Sequence, residues 1–216
     1  MKKGALFDMD GTLIDTEKIY RKYWKMGVET EGFTFNPDFW KEIAGVSGER
    51  ALAVINEFFP GIDAPHMKNN VHNWVTEEMK RNIPERPGMR EILVYLKENG
   101  CKLALASSSA HEKINTFIEK CHLEGIFDAL VSGQDMKRSK PEPDIFLKAA
   151  QEIGVDPKDC YVFEDGINGV KAGIAAGCAT IMIPEYVQPS EEERKQCVGV
   201  YDSLLDALEA IKAGEV

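Results

Sequence analysis

Asp8 and Asp10 stand two residues apart and are followed by Gly11 and Thr12. A glycine at that place permits a tight turn, so both acids share one short loop. A carboxylate can attack phosphorus and become an aspartyl-phosphate. A second carboxyl beside it can protonate the departing oxygen and then take a proton from water. Ser107 and Lys140 offer a hydroxyl and an ammonium, the donors that a phosphoryl oxygen needs. Glu164 and Asp165 add two more acids. Carboxylates drawn together in this number repel one another and require protons or a divalent cation. The donors are all oxygen and include no histidine, which favours magnesium over zinc. Such a metal would also neutralise the charge of a phosphoryl group.

These residues can meet only if the chain brings them to one edge. Short apolar runs at 4–7, 102–106, 129–131, 160–163 and 179–183 read as buried strands. Amphipathic segments at 87–99, 110–121, 143–153, 167–176 and 202–213 read as helices between and after them. The first of these opens at Pro87 and stops at Gly100, the expected boundary chemistry. Strands alternating with helices imply an α/β fold, a doubly wound parallel sheet covered on both faces. In such sheets functional residues gather beyond the carboxyl ends of the strands. Asp8 and Asp10 follow the first strand, Ser107 the second, Lys140 the third, and Glu164 and Asp165 the fourth.

Residues 16–85 break the alternation. Helices are expected at 17–31, 37–44, 48–59 and 64–82, a helical insertion carrying Trp24, Phe39, Trp40 and Trp74 as its packing residues. The expected division is therefore a core of 1–15 and 86–216 and a helical domain of 16–85. Ser108 and Ser109 read as helix caps or backbone contributors. The glycines at 166, 169, 173 and 177 lack dinucleotide-binding spacing and read as helix-packing positions. The charged run 191–195 reads as a solvated helix face.

The net charge of -10 argues against a nucleic-acid or anionic-membrane partner. It slightly favours a soluble monomer. Five cysteines without a C-x-x-C pair give neither a zinc site nor a disulfide framework and fit a reducing cytoplasm. The apolar run near the start is broken by Asp8 and Asp10 and does not read as a signal peptide.

Asp8-Met9-Asp10-Gly11-Thr12, Ser107, Lys140-Pro141 and Glu164-Asp165 resemble, in order, the four motifs of the haloacid dehalogenase-like hydrolase superfamily. The stretch from Phe7 to Thr16 is similar to the branch of β-phosphoglucomutases and small sugar-phosphate phosphatases. The resemblance spans essentially the whole chain. It implies that the insertion is a helical cap that closes over the site. It implies Asp8 as nucleophile and Asp10 as general acid/base, with Ser107 and Lys140 on the phosphoryl group. It also implies magnesium on the Asp8 side chain, the Asp10 backbone carbonyl and Asp165, with Glu164 ligating or orienting the metal through water. The substrate would be a small phosphorylated metabolite, in first place a sugar phosphate. β-Phosphoglucomutases carry a histidine where this chain has Tyr20. They carry an arginine directly after Gly-Val-Ser, where Gly45-Val46-Ser47 is followed by Gly48. Both departures favour a phosphatase over a mutase, although Arg50 lies close enough in sequence to reach a distal phosphate. Glu17, Tyr20, Glu49 and Arg50 are the candidates for substrate specificity.

Overall fold

The computed structural model describes residues 1–44, 46, 48–185 and 188–216. Gly45 and Ser47, part of the Gly-Val-Ser comparison, lie outside the described residues. The chain divides into two compact units, Met1–Asp15 with Pro84–Val216, and Thr16–Ile83.

The first unit holds, among the described residues, one parallel sheet of six strands. In chain order its strands are β1 (Gly4–Phe7), β2 (Lys102–Ser107), β3 (Ala129–Ser132), β4 (Cys160–Glu164), β5 (Ala179–Met182) and β6 (Gly199–Val200). Their spatial order is β3-β2-β1-β4-β5-β6. The direction reverses at β1, whose neighbours are β2 and β4, and crevices for ligands form at such a reversal. β1 and β4 are buried throughout, as strands covered on both faces must be. Phe7 and Phe163 stack across the two strands with centroids 4.5 Å apart and planes 6° from parallel. One face is closed by Leu6, Ala104, Val162, Phe146, Ala149 and Ala172 in a continuous apolar cluster.

The second unit is helical: α1 (Thr16–Thr30), α2 (Pro37–Ile43), α3 (Gly48–Phe58) and α4 (Ala64–Arg81). Phe39 is fully buried at its centre, with the rings of Trp24, Phe58 and Phe59 at 5.8, 5.6 and 4.9 Å. Trp40 is buried as well, while Trp74 is half-buried beside Tyr23. The ends of this segment are joined within the first unit. Asp15 N–H donates to Pro84 O at 2.8 Å, and Arg86 N–H to Leu13 O at 2.9 Å. Ile14 and Glu85 form an antiparallel bridge between those two bonds.

The remaining helices are α5 (Met89–Glu98), α6 (His111–Lys120), α7 (Asp144–Glu152), α8 (Ile167–Ala175), α9 (Glu191–Gln196) and α10 (Leu204–Ala213). α5 does not begin at Pro87. Its N-cap is Gly88 at φ 86°, and a Cβ there would lie 2.3 Å from the backbone nitrogen of Leu205. Close approach of α10, together with a left-handed residue, delays the helix start by two positions. β6 was not expected from the sequence, because two residues form no apolar run.

Candidate active site

Asp8 follows β1, and its N–H donates to Phe163 O of β4 at 3.0 Å, continuing the sheet pattern by one residue. Its carboxylate is buried. Lys140, between β3 and α7 on a cis Lys140–Pro141 peptide, points its ammonium at it. Nζ lies 2.6 Å from Asp8 Oδ1, 2.6 Å from Glu164 Oε1 and 3.4 Å from Ala106 O. Arg138 forks onto Asp144 in the first turn of α7 at 2.6 and 3.1 Å, and so ties the segment carrying Lys140 to that helix.

Glu164 ends β4, and Asp165 follows it. Gly166 N–H donates to Glu164 Oε2 at 3.0 Å, and Thr12 Oγ1 donates to Asp165 Oδ1 at 3.0 Å. Two glycines make room for these acids. Gly11 is at φ 84°, and a Cβ on it would lie 2.2 Å from Asp165 Oδ2. A Cβ on Gly169 would lie 1.7 Å from Glu164 Oε1. Gly169 thus clears space for a carboxylate, where sequence reading assigned it to helix packing. Gly173 does serve packing, against Val162 and Thr180.

One oxygen from each of Asp8, Glu164 and Asp165 fits within 4.8 Å of the others. Lys140 supplies one positive charge to this group. Burial, with the Glu164 charge adding, lifts the Asp8 carboxyl to about 7 in spite of Lys140. Burial and the charges of Glu164 and Asp8 push Asp165 well above the ordinary carboxylate range. Burial opposes the charge on Lys140, but Asp8 and Glu164 outweigh it and hold the ammonium firmly protonated. The three acids are under-compensated as they stand. All-oxygen donors with excess negative charge suit a hard divalent cation such as magnesium, so the residues present fit the metal.

Asp10 lies beside this group, and its carboxylate faces different partners. Ser109 Oγ donates to its Oδ2 at 2.7 Å and Lys113 Nζ to its Oδ1 at 2.6 Å. Ser107 is buried at the end of β2, where its Oγ accepts the Ser109 N–H at 3.0 Å. Ser108 and Ser109 do not cap α6. The N-cap is Ala110, without a side-chain cap bond, because the Ser109 hydroxyl is turned to Asp10. Lys113 was not among the residues picked from the sequence. Its signal is a cation in the first turn of a helix, where the backbone dipole disfavours it.

Glu17 and Tyr20 of α1 line a cavity of 540 Å³ within the helical unit, with Trp24, Trp40, Lys68 and His72 around it. Glu49 and Arg50 stand exposed at the start of α3. No helix among the described residues is long and apolar enough to cross a membrane.

The chain is 31% identical to a phosphorylated carbohydrates phosphatase of Thermotoga maritima, over 99% of this chain and 92% of that one. It is 30% identical to hexitol phosphatase B of Escherichia coli, over 83% and 82% of the two. Among solved structures it superposes on a β-phosphoglucomutase of Clostridium difficile with a TM-score of 0.72 and 25% identity, covering 100% of this chain and 97% of that one. The profile of haloacid dehalogenase-like hydrolases matches residues 5–183. With that match over most of its length, the motif acids at its strand ends and relatives at this identity, the chain belongs to the haloacid dehalogenase-like hydrolases and is an enzyme of that family.

Proposed function

We propose that the protein is a magnesium-dependent phosphatase of a small phosphorylated metabolite, in first place a sugar phosphate, acting through an aspartyl-phosphate on Asp8. One observation carries this reading: three buried or part-buried carboxylates lie together while one ammonium, that of Lys140, pairs with two of them, so that a dianionic ester enters a site built to hold one more cation. The likeness to phosphatases of phosphorylated carbohydrates and hexitols supports the substrate class.

A carboxylate oxygen of Asp8 forms the bond to phosphorus while the bond from phosphorus to the leaving alkoxide breaks. The proton that the leaving oxygen needs comes from the Asp10 carboxyl. Water then adds to the phosphoryl group, gives its proton to Asp10 and releases Asp8 with inorganic phosphate. Lys140 and the Ser107 hydroxyl hold equatorial phosphoryl oxygens, where charge is greatest in the transition state. Asp8, Asp165 and the Asp10 carbonyl would hold magnesium, with Glu164 as direct or water-borne ligand. The metal, when bound, neutralises negative charge on the transferring group. Selection among esters is assigned to the helical unit as the cap, with Glu17 and Tyr20 on its cavity and Glu49 and Arg50 on α3.

A mutase, in which a sugar hydroxyl replaces water, is the second reading, favoured by the likeness to a β-phosphoglucomutase. Tyr20 and Gly48 stand against it, at the positions where mutases carry histidine and arginine. The test is phosphate release from a panel of sugar, polyol and nucleoside phosphates with magnesium. β-Glucose 1-phosphate with a bisphosphate activator is included, and glucose 6-phosphate is followed in parallel. Phosphate release from one small ester supports the phosphatase. Glucose 6-phosphate with little free phosphate selects the mutase, and no turnover of any ester defeats both.

A further inference from the structure

We infer that Ser109 and Lys113 are positioning residues for Asp10, which hold its carboxylate in line with the leaving-group oxygen. The inference rests on the acid/base role proposed for Asp10.

Three observations converge on it. First, each carboxylate oxygen of Asp10 receives its own donor, Lys113 Nζ at 2.6 Å and Ser109 Oγ at 2.7 Å. Two donors on two oxygens fix both the direction of the carboxylate and its rotation, which one bond would leave free. Second, both donors break the local rules of the helix they begin. A cation in the first turn of α6 opposes the helix dipole. A serine placed one residue before an alanine N-cap leaves the helix without the capping bond a serine could have made. Positions where local preference gives way in this manner are expected at functional sites. Third, Ser109 is itself anchored from two directions. Its N–H donates to Ser107 Oγ at 3.0 Å, and its carbonyl accepts from Ser132 Oγ at 2.7 Å. Gly133 lets the end of β3 come close, since a Cβ there would lie 2.9 Å from Ser108 Cα. The backbone of Ser109 is thus held from β2 and β3 while its hydroxyl reaches Asp10, which stands on a turn and is itself partly exposed.

The consequence belongs to one chemical event. As the ester bond breaks, its electron pair goes to the leaving oxygen, and the Asp10 proton must meet that oxygen. A misdirected carboxyl harms esters with a basic leaving group most. An ester whose leaving group is stable as the anion needs the proton less.

The experiment compares kcat/KM for phenyl phosphate and 4-nitrophenyl phosphate, with magnesium, for the native chain and for Lys113→Met, Lys113→Arg, Ser109→Ala and Asp10→Asn. Circular dichroism and the melting temperature of each variant establish the fold. Lys113→Met and Ser109→Ala are expected to lose about tenfold or more in kcat/KM with phenyl phosphate, at least several-fold beyond their loss with 4-nitrophenyl phosphate. Lys113→Arg, which keeps a donor, should recover part of that difference. Folded variants that lose equally on both esters, or on neither, overturn the inference while Asp10→Asn still discriminates between them. If Asp10→Asn shows no discrimination, the acid role of Asp10 fails and the inference falls with it.

Discussion

Gly169 lies directly against the Glu164 carboxylate, so close that a Cβ on residue 169 would stand 1.7 Å from Oε1. In a helix interior glycine costs about 1 kcal/mol relative to alanine, so Gly169→Ala would stabilise α8 if helix propensity alone decided. The contact predicts the opposite. The variant should melt lower than the native chain and lose activity, because Glu164 must leave its bonds to Lys140 and the Gly166 N–H. Thermal melts and turnover measured together check this; a more stable, fully active Gly169→Ala would show that the space is not needed.

Among the described residues, Lys140 is the cation that Asp8 and Glu164 share. Its removal leaves buried carboxylates uncompensated, at a cost of about 3–5 kcal/mol. Lys140→Met is expected to unfold at lower urea concentration and to lose about a hundredfold or more in turnover, as a transition-state donor is lost. Adding Glu164→Gln should recover part of the stability and none of the activity. Additive losses of stability in the double variant would refute the shared-charge account.

The Asp8 carboxyl, lifted by burial from 3.8 to about 7, makes stability depend on pH. Between these values the native state binds a proton that the unfolded chain has released, so stability falls as pH rises from about 4 to about 7. In a chelator-containing buffer this contribution is present below about pH 4 and lost above about pH 7. Asp8→Asn should remove that part of the slope and melt at least as high as the native chain at pH 8. It should also abolish turnover while leaving the fold intact. Residual turnover near the native rate would eliminate Asp8 as nucleophile.

Magnesium should raise the melting temperature, since a ligand of the native state alone stabilises by mass action, about 2.7 kcal/mol at a hundred times its dissociation constant. The effect should be larger at pH 8 than at pH 5, where Asp8 is protonated. Asp165→Asn is expected to weaken it strongly. Equal shifts in native chain and variant would place the metal elsewhere.

The strands were legible because each is a short apolar run that ends in the residues now found at one edge of the sheet. Asp8, Lys140, Glu164 and Asp165 could be gathered from sequence by that rule alone. β6 escaped it, since Gly199 and Val200 pair with β5 through backbone groups that carry no side-chain signature. The α5 start was misread because Pro87 is a helix-opening residue, and the approach of the Leu205 backbone to Gly88 is a tertiary fact. Ser109 was read as a helix cap or backbone contributor, and Lys113 was not picked, for a related reason. Their partner lies about a hundred residues away, and only the poor quality of their own helix start hinted at it.

The bonds joining 13–15 to 84–86 give the chain the form of a sentence with a parenthesis. Everything from Thr16 to Ile83 is inserted at one point of the first unit, between Asp15 and Pro84, and the parallel sheet runs on either side of it. Closing a longer segment costs little, about 0.6 kcal/mol for each doubling. A lineage can therefore rewrite the words inside the brackets without touching the grammar of the strands that carry Asp8, Ser107 and Glu164.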